Sequence, residues 1–179
     1  MPHLPHLHTL GDYRDAIERF ATYPGAGTAN EAARTSVTLG LYNSMVGDIS
    51  GHYEDARSQD HGVLTQERLE SLKAEMGNAL FHLTRSIVEF STNSGGLLWG
   101  QDLSELHEPV QVDNPAHAWR AVPRIVVQTD FSRLFDVQSL LRTLSFAAAR
   151  HGWTLQDLAR TNVRTLMTRD GSSLAGAAL

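Results

Sequence analysis

One long amphipathic segment, residues 65–90, does most to limit how this 179-residue chain can fold. Its apolar residues recur in steps of three and four, at Leu69, Leu72, Met76, Leu80, Leu83, Ile87 and Phe90. That spacing places them along one face of an α-helix, and no proline interrupts the pattern. The segment therefore predicts one long helix that buries a face against its neighbours.

Two oxygen-bearing side chains, Glu75 and Asn78, lie in the middle of this segment. Residues three apart on a helix are neighbours on the same side, so the two side chains can share a metal ion or a polar ligand. They can equally be two polar residues that face water. The spacing alone leaves both interpretations open.

The composition is that of an ordinary globular chain, with 41% hydrophobic and 20% charged residues. The net charge of −5 gives no basic footprint for DNA or RNA. Cysteine is absent, which excludes disulfides, thiolate metal sites and cysteine nucleophiles. We find no signal-peptide pattern and no apolar run that approaches the roughly 20 residues of a membrane span. These features predict a single-domain cytoplasmic protein, 1–179, that does not enter the membrane.

Helical patterning also occurs before the long segment. A first helix is expected over about 12–21, with Asp12 as its cap, and it should end at the Pro-Gly turn of 22–28. A second is expected over about 30–57 and contains Gly40, Gly47 and Gly51. Such glycines favour either close approach of another helix or a kink.

After residue 90 the pattern becomes irregular. We expect a long loop over 91–130, in which 124–128 forms a short strand or an extended connection, followed by a helix over 132–150. Trp99 and Trp119 would anchor this loop to the core, cap a pocket or meet a partner. Thr154 then caps a last helix, with Asp157 completing a variant of the capping box.

Strand patterning is nearly absent, and the loops between the long helices are short. The sequence therefore predicts an all-α fold, arranged as an antiparallel helical bundle. The ends of the chain, 1–8 and 171–179, are expected to be loose.

Four segments occur in an order that is typical of one enzyme family. They are ATYPGAGT at 21–28, TLGL at 38–41, LTQERLESLKAEMGNALFHL at 64–83 and GWTLQDLARTNVRTLMTR at 152–169. Together they resemble the MazG-like all-α nucleoside triphosphate pyrophosphohydrolases. The resemblance covers about 12–90 and 151–170, and it leaves 91–150 as an insertion.

The resemblance implies hydrolysis of a nucleoside triphosphate to the monophosphate and pyrophosphate, by a protein that assembles as a homo-oligomer, either a dimer or a tetramer. It also implies Mg²⁺, or Mn²⁺, bound by a Glu-x-x-Glu pair on one helix and a Glu-x-x-Asp pair on the next. Carboxylates suit Mg²⁺ because it is a hard ion that prefers oxygen ligands. Bound in this way, the ion neutralises phosphate charge and activates water.

The corresponding positions of this chain hold Ser44 and Gly47, then Glu75 and Asn78. Three of the four expected carboxylates are thus replaced. Gly47 has no side chain to offer a metal ion, and the serine hydroxyl is a neutral ligand. We therefore expect a nucleotide-related protein in which hydrolysis is weak or lost.

Other residues are candidates for the missing roles. Asp48 would replace a lost metal ligand, and Asp136 on the inserted helix would supply a further carboxylate. The resemblance implies that Asn162 and Arg169 bind the nucleotide, because they match an Asn and an Arg of the family that resemble nucleotide-binding residues. One alternative is therefore an active divergent (d)NTP pyrophosphatase that uses Glu75, Asp48 and Asp136 with Mg²⁺ or Mn²⁺. A second alternative is a helical oligomerisation or partner-binding module.

Overall fold

The computed structural model describes residues 6–59, 61–90, 95–105, 122–131 and 133–176, and every regular element in these ranges is helical. The α-helices are α1 Leu10–Ile17, α2 Glu31–Tyr42, α3 Ile49–Gln59, α4 Gln66–Glu89, α5 Gly95–Leu98, α6 Val122–Gln128, α7 Leu134–Ala149 and α8 Leu155–Gly176. The expected all-α class is confirmed. The finer expectation, an antiparallel MazG-like bundle, stays a prediction.

Helix α4 is the centre of the fold and agrees with the long helix expected from the sequence. Thr65 is its N-cap, and the threonine side chain accepts a hydrogen bond from the backbone N–H of Arg68. Helices α1, α2, α3, α7 and α8 all contact α4. Its apolar face is buried among them at Leu72, Met76, Leu80, Leu83 and Ile87. Any site on α4 is therefore held by several elements at once.

The second predicted helix is divided by a π-helical turn, Asn43–Asp48, that joins α2 to α3. Buried residues along it recur every four positions, at Ala33, Val37, Leu41, Met45, Ile49 and Tyr53. Each residue of an α-helix is rotated by about 100° from the one before it, so four residues exceed a full turn by about 40°. A stripe of apolar residues spaced by four therefore drifts around the helix, away from the core. The wider π turn inserts an extra residue and returns the stripe to the core.

The glycines of this helix differ in their surroundings. A Cβ added at Gly40 would lie 2.3 Å from His82 Cε1, so α2 and α4 approach closely there. Gly47 and Gly51 have nothing within 4 Å of such an atom. The expected close approach is therefore found at Gly40, while the helix irregularity coincides with Gly47.

The start of the chain belongs to the core rather than to a loose end. Leu7 is 0% exposed, and its carbonyl accepts a hydrogen bond from Gln156 Nε2 at 2.6 Å. The carbonyl of His8 accepts from the backbone N–H of Leu103 at 2.8 Å. The expectation of a loose segment 1–8 is thus wrong for Leu7 and His8, because both are tied to distant parts of the chain. Residues 1–5 lie outside the described ranges.

The first helix begins earlier than expected. Its N-cap is Thr9 and not Asp12, and Asp12 instead completes a capping box by accepting from the Thr9 backbone N–H at 2.8 Å. A 3₁₀ turn, Glu18–Phe20, ends the helix before the Pro-Gly turn.

Two further expectations need correction. Residues 124–128 belong to α6 rather than to a strand or an extended connection: Val122 and Val126 are buried one helical turn apart, whereas Arg124, which would share their face in a strand, is exposed. Helix α8 continues to Gly176, so 171–176 are helical, and 177–179 lie outside the described ranges.

The inserted helix and the loop anchor agree with the sequence analysis. The helix expected over 132–150 is α7, Leu134–Ala149. The Trp99 carbonyl accepts from the Gly11 backbone N–H at 2.9 Å, and the Arg14 guanidinium lies 4.8 Å from the centre of the Trp99 ring. Trp99 therefore anchors this part of the loop to α1. Trp119 lies outside the described ranges.

In the part of the chain described here, no helix is both long enough and apolar enough to cross a membrane.

Candidate functional site

Three of the predicted site residues, Glu75, Asn78 and Asn162, meet in one chain of hydrogen bonds. Asn78 Nδ2 donates to Glu75 Oε2 at 2.9 Å, and Asn162 Nδ2 donates to Asn78 Oδ1 at 3.1 Å. The chain ends at Tyr13, whose hydroxyl donates to Asn162 Oδ1 at 2.8 Å. Helices α1, α4 and α8 are joined through these four side chains, which we call the polar chain.

The direction of the polar chain is fixed by its ends. An ionised carboxylate only accepts hydrogen bonds, so Asn78 must present its N–H₂ to Glu75 and its carbonyl oxygen to Asn162. Asn162 must then present its own N–H₂ to Asn78 and its oxygen to Tyr13. Burial raises the pKa of Tyr13 well above its ordinary value, so its hydroxyl keeps the proton that it donates. Every donor in the chain therefore points toward Glu75.

Close packing of α4 on α8 makes these contacts possible. A Cβ added at Gly77 would lie 3.0 Å from the Leu158 carbonyl oxygen and 3.1 Å from Asn162 Cβ. The absence of a side chain at Gly77 lets the two backbones approach, and Asn162 can then reach Asn78. Asn162 and Tyr13 are buried, while Glu75 and Asn78 are half-buried.

The candidates from the second helix lie in or beside the π-helical turn. Ser44 is buried in it, whereas Gly47 and Asp48 are exposed. A π turn changes the direction in which the following residues point, and such turns are frequent at functional sites. This one, however, leaves Asp48 facing solvent.

The remaining candidates are spread over other elements. Asp136 lies in the first turn of α7, where its Oδ2 accepts from the Asp130 backbone N–H at 3.2 Å. Arg169 is exposed on α8, seven positions beyond Asn162. The structure thus joins Glu75, Asn78 and Asn162, and it leaves Asp136 in a local contact with the turn before α7.

The donor set does not suit the metal ions that the resemblance implies. Of the residues 6–59, 61–90, 95–105, 122–131 and 133–176, no three His, Asp or Glu side chains come together in a group that could hold a metal ion. Glu75 is the one carboxylate of the polar chain, and the oxygen of Asn78 already accepts from Asn162. Mg²⁺ needs several free oxygen ligands in octahedral geometry, and the polar chain does not provide them.

A second buried polar group, which the sequence analysis missed, lies at the C-terminal end of α4. Arg85 and Glu89 are both fully buried, and Arg85 Nη2 donates to Glu89 Oε1 at 3.1 Å. The backbone N–H groups of Gly27 and Ala29 donate to the Glu89 carboxylate at 2.7 and 3.0 Å. The hydroxyl of Tyr23 donates to the same carboxylate and accepts from Arg85 Nε. This cluster fastens the Pro-Gly turn to α4.

Burial by itself would raise the pKa of Glu89. The hydrogen bonds from Tyr23 and from the two backbone N–H groups, together with the one from Arg85, outweigh burial and leave the pKa below its ordinary value. Burial, followed by the hydrogen bond to Glu89, raises the pKa of Tyr23 to about 12. Glu89 is therefore an ionised carboxylate in the core, held by a complete set of donors.

The sequence contained one signal for this cluster. Arg85 and Glu89 are four residues apart and lie among the most apolar turns of α4, where an ion pair facing solvent is not expected. Their partner, the turn at 23–29, lies about 60 residues earlier in the chain, so spacing could not reveal it.

Comparison with known proteins finds a phage protein that is similar to part of this chain. The chain is 32% identical over 74 residues to the Gene 37 protein of Mycobacterium phage L5. The match covers 41% of this chain and 64% of the length of that protein. No protein-family model matches the chain, and no solved structure matches it. The described residues thus define an all-helical protein with a partly buried polar chain on its central helix.

Proposed function

We propose that this protein is a MazG-like nucleotide-binding protein in which hydrolysis of nucleoside triphosphates to monophosphate and pyrophosphate is weak or lost. The ordered motifs, and a helical fold centred on the helix that carries Glu75, support the ancestry. The observation that carries the loss of hydrolysis is the hydrogen bond from Asn78 to Glu75. It places an amide donor where the resemblance implies a metal-binding acid.

The expected role of Asn162 changes in this proposal. Its side chain is buried, and both ends of its amide are engaged within the polar chain. Arg169 is exposed and carries a fixed positive charge, so contact with phosphate falls to Arg169. The protein assembles as a dimer or tetramer, as the resemblance implies.

A nucleotide panel tests this proposal. We expect (d)NTPs to raise the thermal unfolding midpoint, with pyrophosphate release in Mg²⁺ or Mn²⁺ that is absent or only slightly above the level of a Glu75→Ala variant. The Arg169→Ala variant should bind more weakly, whereas Arg57→Ala, which removes an exposed arginine paired with Glu54, should bind normally.

Other results would decide between the alternatives. Sustained pyrophosphate release, with many turnovers per molecule, that is abolished by Glu75→Ala would overturn the proposal in favour of an active pyrophosphatase using Glu75, Asp48 and Asp136. If the protein neither binds nor hydrolyses any nucleotide of the panel, a nucleotide-related function is excluded.

The outer face of α2 favours a second candidate function, an oligomerisation or partner-binding module. A shallow groove is lined there by Glu31, Arg34, Thr35, Thr38, Leu39, Tyr42 and Phe90. Leu39 and Tyr42 are 57% and 36% exposed in it beside the half-buried Phe90, so large apolar side chains share this groove rather than being scattered singly. If copies of the chain meet at this face, Leu39→Lys should lower the mass measured by sedimentation, whereas Leu97→Lys, at an exposed position outside the groove, should not. An unchanged mass for Leu39→Lys would exclude this face as the interface.

A further inference from the structure

We infer that the side-chain amide of Asn78 does for Glu75 what a bound cation would do, so that the Glu75 carboxylate is held by a metal-independent polar chain. This inference rests on contacts within the folded chain. It does not depend on whether a nucleotide binds.

The first step is that no buried atom of the polar chain lacks a hydrogen-bond partner. Among the described side chains, the buried nitrogen and oxygen atoms without a hydrogen-bond partner are His82 Nδ1 and Arg85 Nη1, and neither belongs to it. A carboxylate site built for a cation contains acceptors that face one another across the ion. Here each acceptor faces a donor: Glu75 faces Asn78, Asn78 faces Asn162, and Asn162 faces Tyr13.

The second step concerns which part of the chain supplies positive charge to Glu75. The Asn78 amide carries a partial positive charge on its N–H₂ group, and that group lies 2.9 Å from Glu75 Oε2. Asn78 is itself oriented by Asn162, which is buried between α4 and α8. The donor is thus positioned before any ligand arrives, and no ion is needed to keep Glu75 in place.

The third step is that one substitution should reverse this arrangement. Asn78→Asp keeps the size of the side chain and still accepts from Asn162, but it replaces the donor that faces Glu75 with an acceptor. Two carboxylate oxygens would then lie within hydrogen-bond distance of one another, and they repel. A divalent cation between them would relieve that repulsion. The variant should therefore acquire a requirement for a cation that the natural protein lacks.

The test compares thermal unfolding of the natural protein and of Asn78→Asp in EDTA, Mg²⁺ and Mn²⁺. We expect the natural protein to unfold at the same temperature in all three solutions. The variant should unfold several degrees lower in EDTA and recover part of that loss in Mg²⁺ or Mn²⁺. The matched control is Ser71→Asp, which adds an acid on the exposed side of the same helix, four residues after Glu67. It should show no response to cations.

Two results would overturn the inference. One is a natural protein that is stabilised by several degrees by Mg²⁺ or Mn²⁺ without nucleotide. The other is a folded Asn78→Asp variant with no response to either cation. If Asn78→Asp does not fold, titration calorimetry of the natural protein with Mn²⁺ still decides, because binding lost in Glu75→Gln would contradict a metal-independent chain. Nucleotide binding is measured separately, so a failure of the proposed function leaves these results interpretable.

Discussion

Glu89 is a carboxylate with no access to solvent, yet its oxygens accept hydrogen bonds from two side chains and two backbone N–H groups. Glu89→Gln keeps the shape of the side chain but replaces one oxygen by an N–H₂ donor that faces other donors. It also leaves the Arg85 cation buried without its partner. Breaking a buried ion pair in this way costs about 3–5 kcal/mol. We expect that loss in the free energy of unfolding measured with urea.

An exposed ion pair provides the control for this substitution. Glu54 pairs with Arg57 at 2.9 Å on the surface of α3. Exposed pairs contribute only about 0–1 kcal/mol, so Glu54→Gln should change the free energy of unfolding by less than about 1 kcal/mol. Similar losses for Glu89→Gln and Glu54→Gln would contradict the central role of the Glu89 cluster.

The lowered pKa of Glu89 adds a pH dependence with a definite sign. Because the folded state holds this proton less tightly than the unfolded state, the contribution of Glu89 is fully present above the unfolded pKa, about 4.3. It is lost as the pH falls through the lower pKa of the folded state. The difference in unfolding free energy between the natural protein and Glu89→Gln should therefore shrink as the pH is lowered from about 6 toward 3. A constant difference across that range would show that the charge of Glu89 is not what stabilises the turn.

At the scale of helices, the contact between α2 and α4 depends on Gly40. An added Cβ would overlap the His82 ring, with 2.4 Å to its Nδ1 and 2.7 Å to its Nε2. That ring is half-buried and lies against the Phe81 ring, so making room for the added methyl group moves it out of its present contacts. Gly40→Ala should therefore destabilise the protein by about 1–3 kcal/mol, despite the better helix propensity of alanine. Urea unfolding measures this loss.

Gly51 is the matched control, because it also lies in a helix but has nothing within 4 Å of an added Cβ. Gly51→Ala should leave the protein unchanged or stabilise it by up to about 1 kcal/mol. Adding His82→Ala to Gly40→Ala removes the overlap, so the double variant should lose less than the sum of the single losses. Strict additivity would mean that the two residues do not compete for the same space.

An element could be predicted where the sequence pattern that determines it lies within its own segment. Helix α4 was predicted because its periodicity lies within the segment itself, whereas its Thr65 N-cap was not singled out. The π-helical turn was missed, although the four-residue spacing from Ala33 to Tyr53 is visible in the sequence. The segment 124–128 was expected to be a short strand or an extended connection because its β-branched run favours strands locally, whereas it belongs to a helix that buries Val122 and Val126 and exposes Arg124.

The candidate site was predicted in part, for a similar reason. The spacing of Glu75 and Asn78 placed them on one side of α4, and the motif at 152–169 pointed to Asn162. That these residues bond to each other depends on the approach of α8 at Gly77, which is a property of packing. Tyr13 was not proposed as a site residue. It lies on the apolar face of α1, and the sequence does not indicate whether the hydroxyl of such a tyrosine has a hydrogen-bond partner.

At the scale of the whole molecule, segments far apart in sequence share one core. Leu7 is 0% exposed and packs in the same cluster of buried residues as Leu103 and Leu155. Removing its side chain leaves a cavity among all three segments, so Leu7→Ala should cost about 2–5 kcal/mol. Leu97→Ala is the control, since that side chain is 76% exposed and should cost less than about 0.5 kcal/mol. Equal costs would place Leu7 outside the core.

Because the same core includes helices α1, α4, α7 and α8, we expect one cooperative unfolding transition. Helical circular dichroism follows the bundle as a whole, and tryptophan fluorescence includes Trp99 on the loop and Trp153 before α8. The two signals should give the same urea midpoint in the natural protein, and Leu7→Ala should lower both midpoints together. A fluorescence midpoint that falls while the circular dichroism midpoint stays constant would mean that the N-terminal segment and the loop around Trp99 form a separate, weaker unit. In that case the polar chain, which joins Tyr13 of α1 to α4 and α8, would not be enough to make the molecule unfold as one.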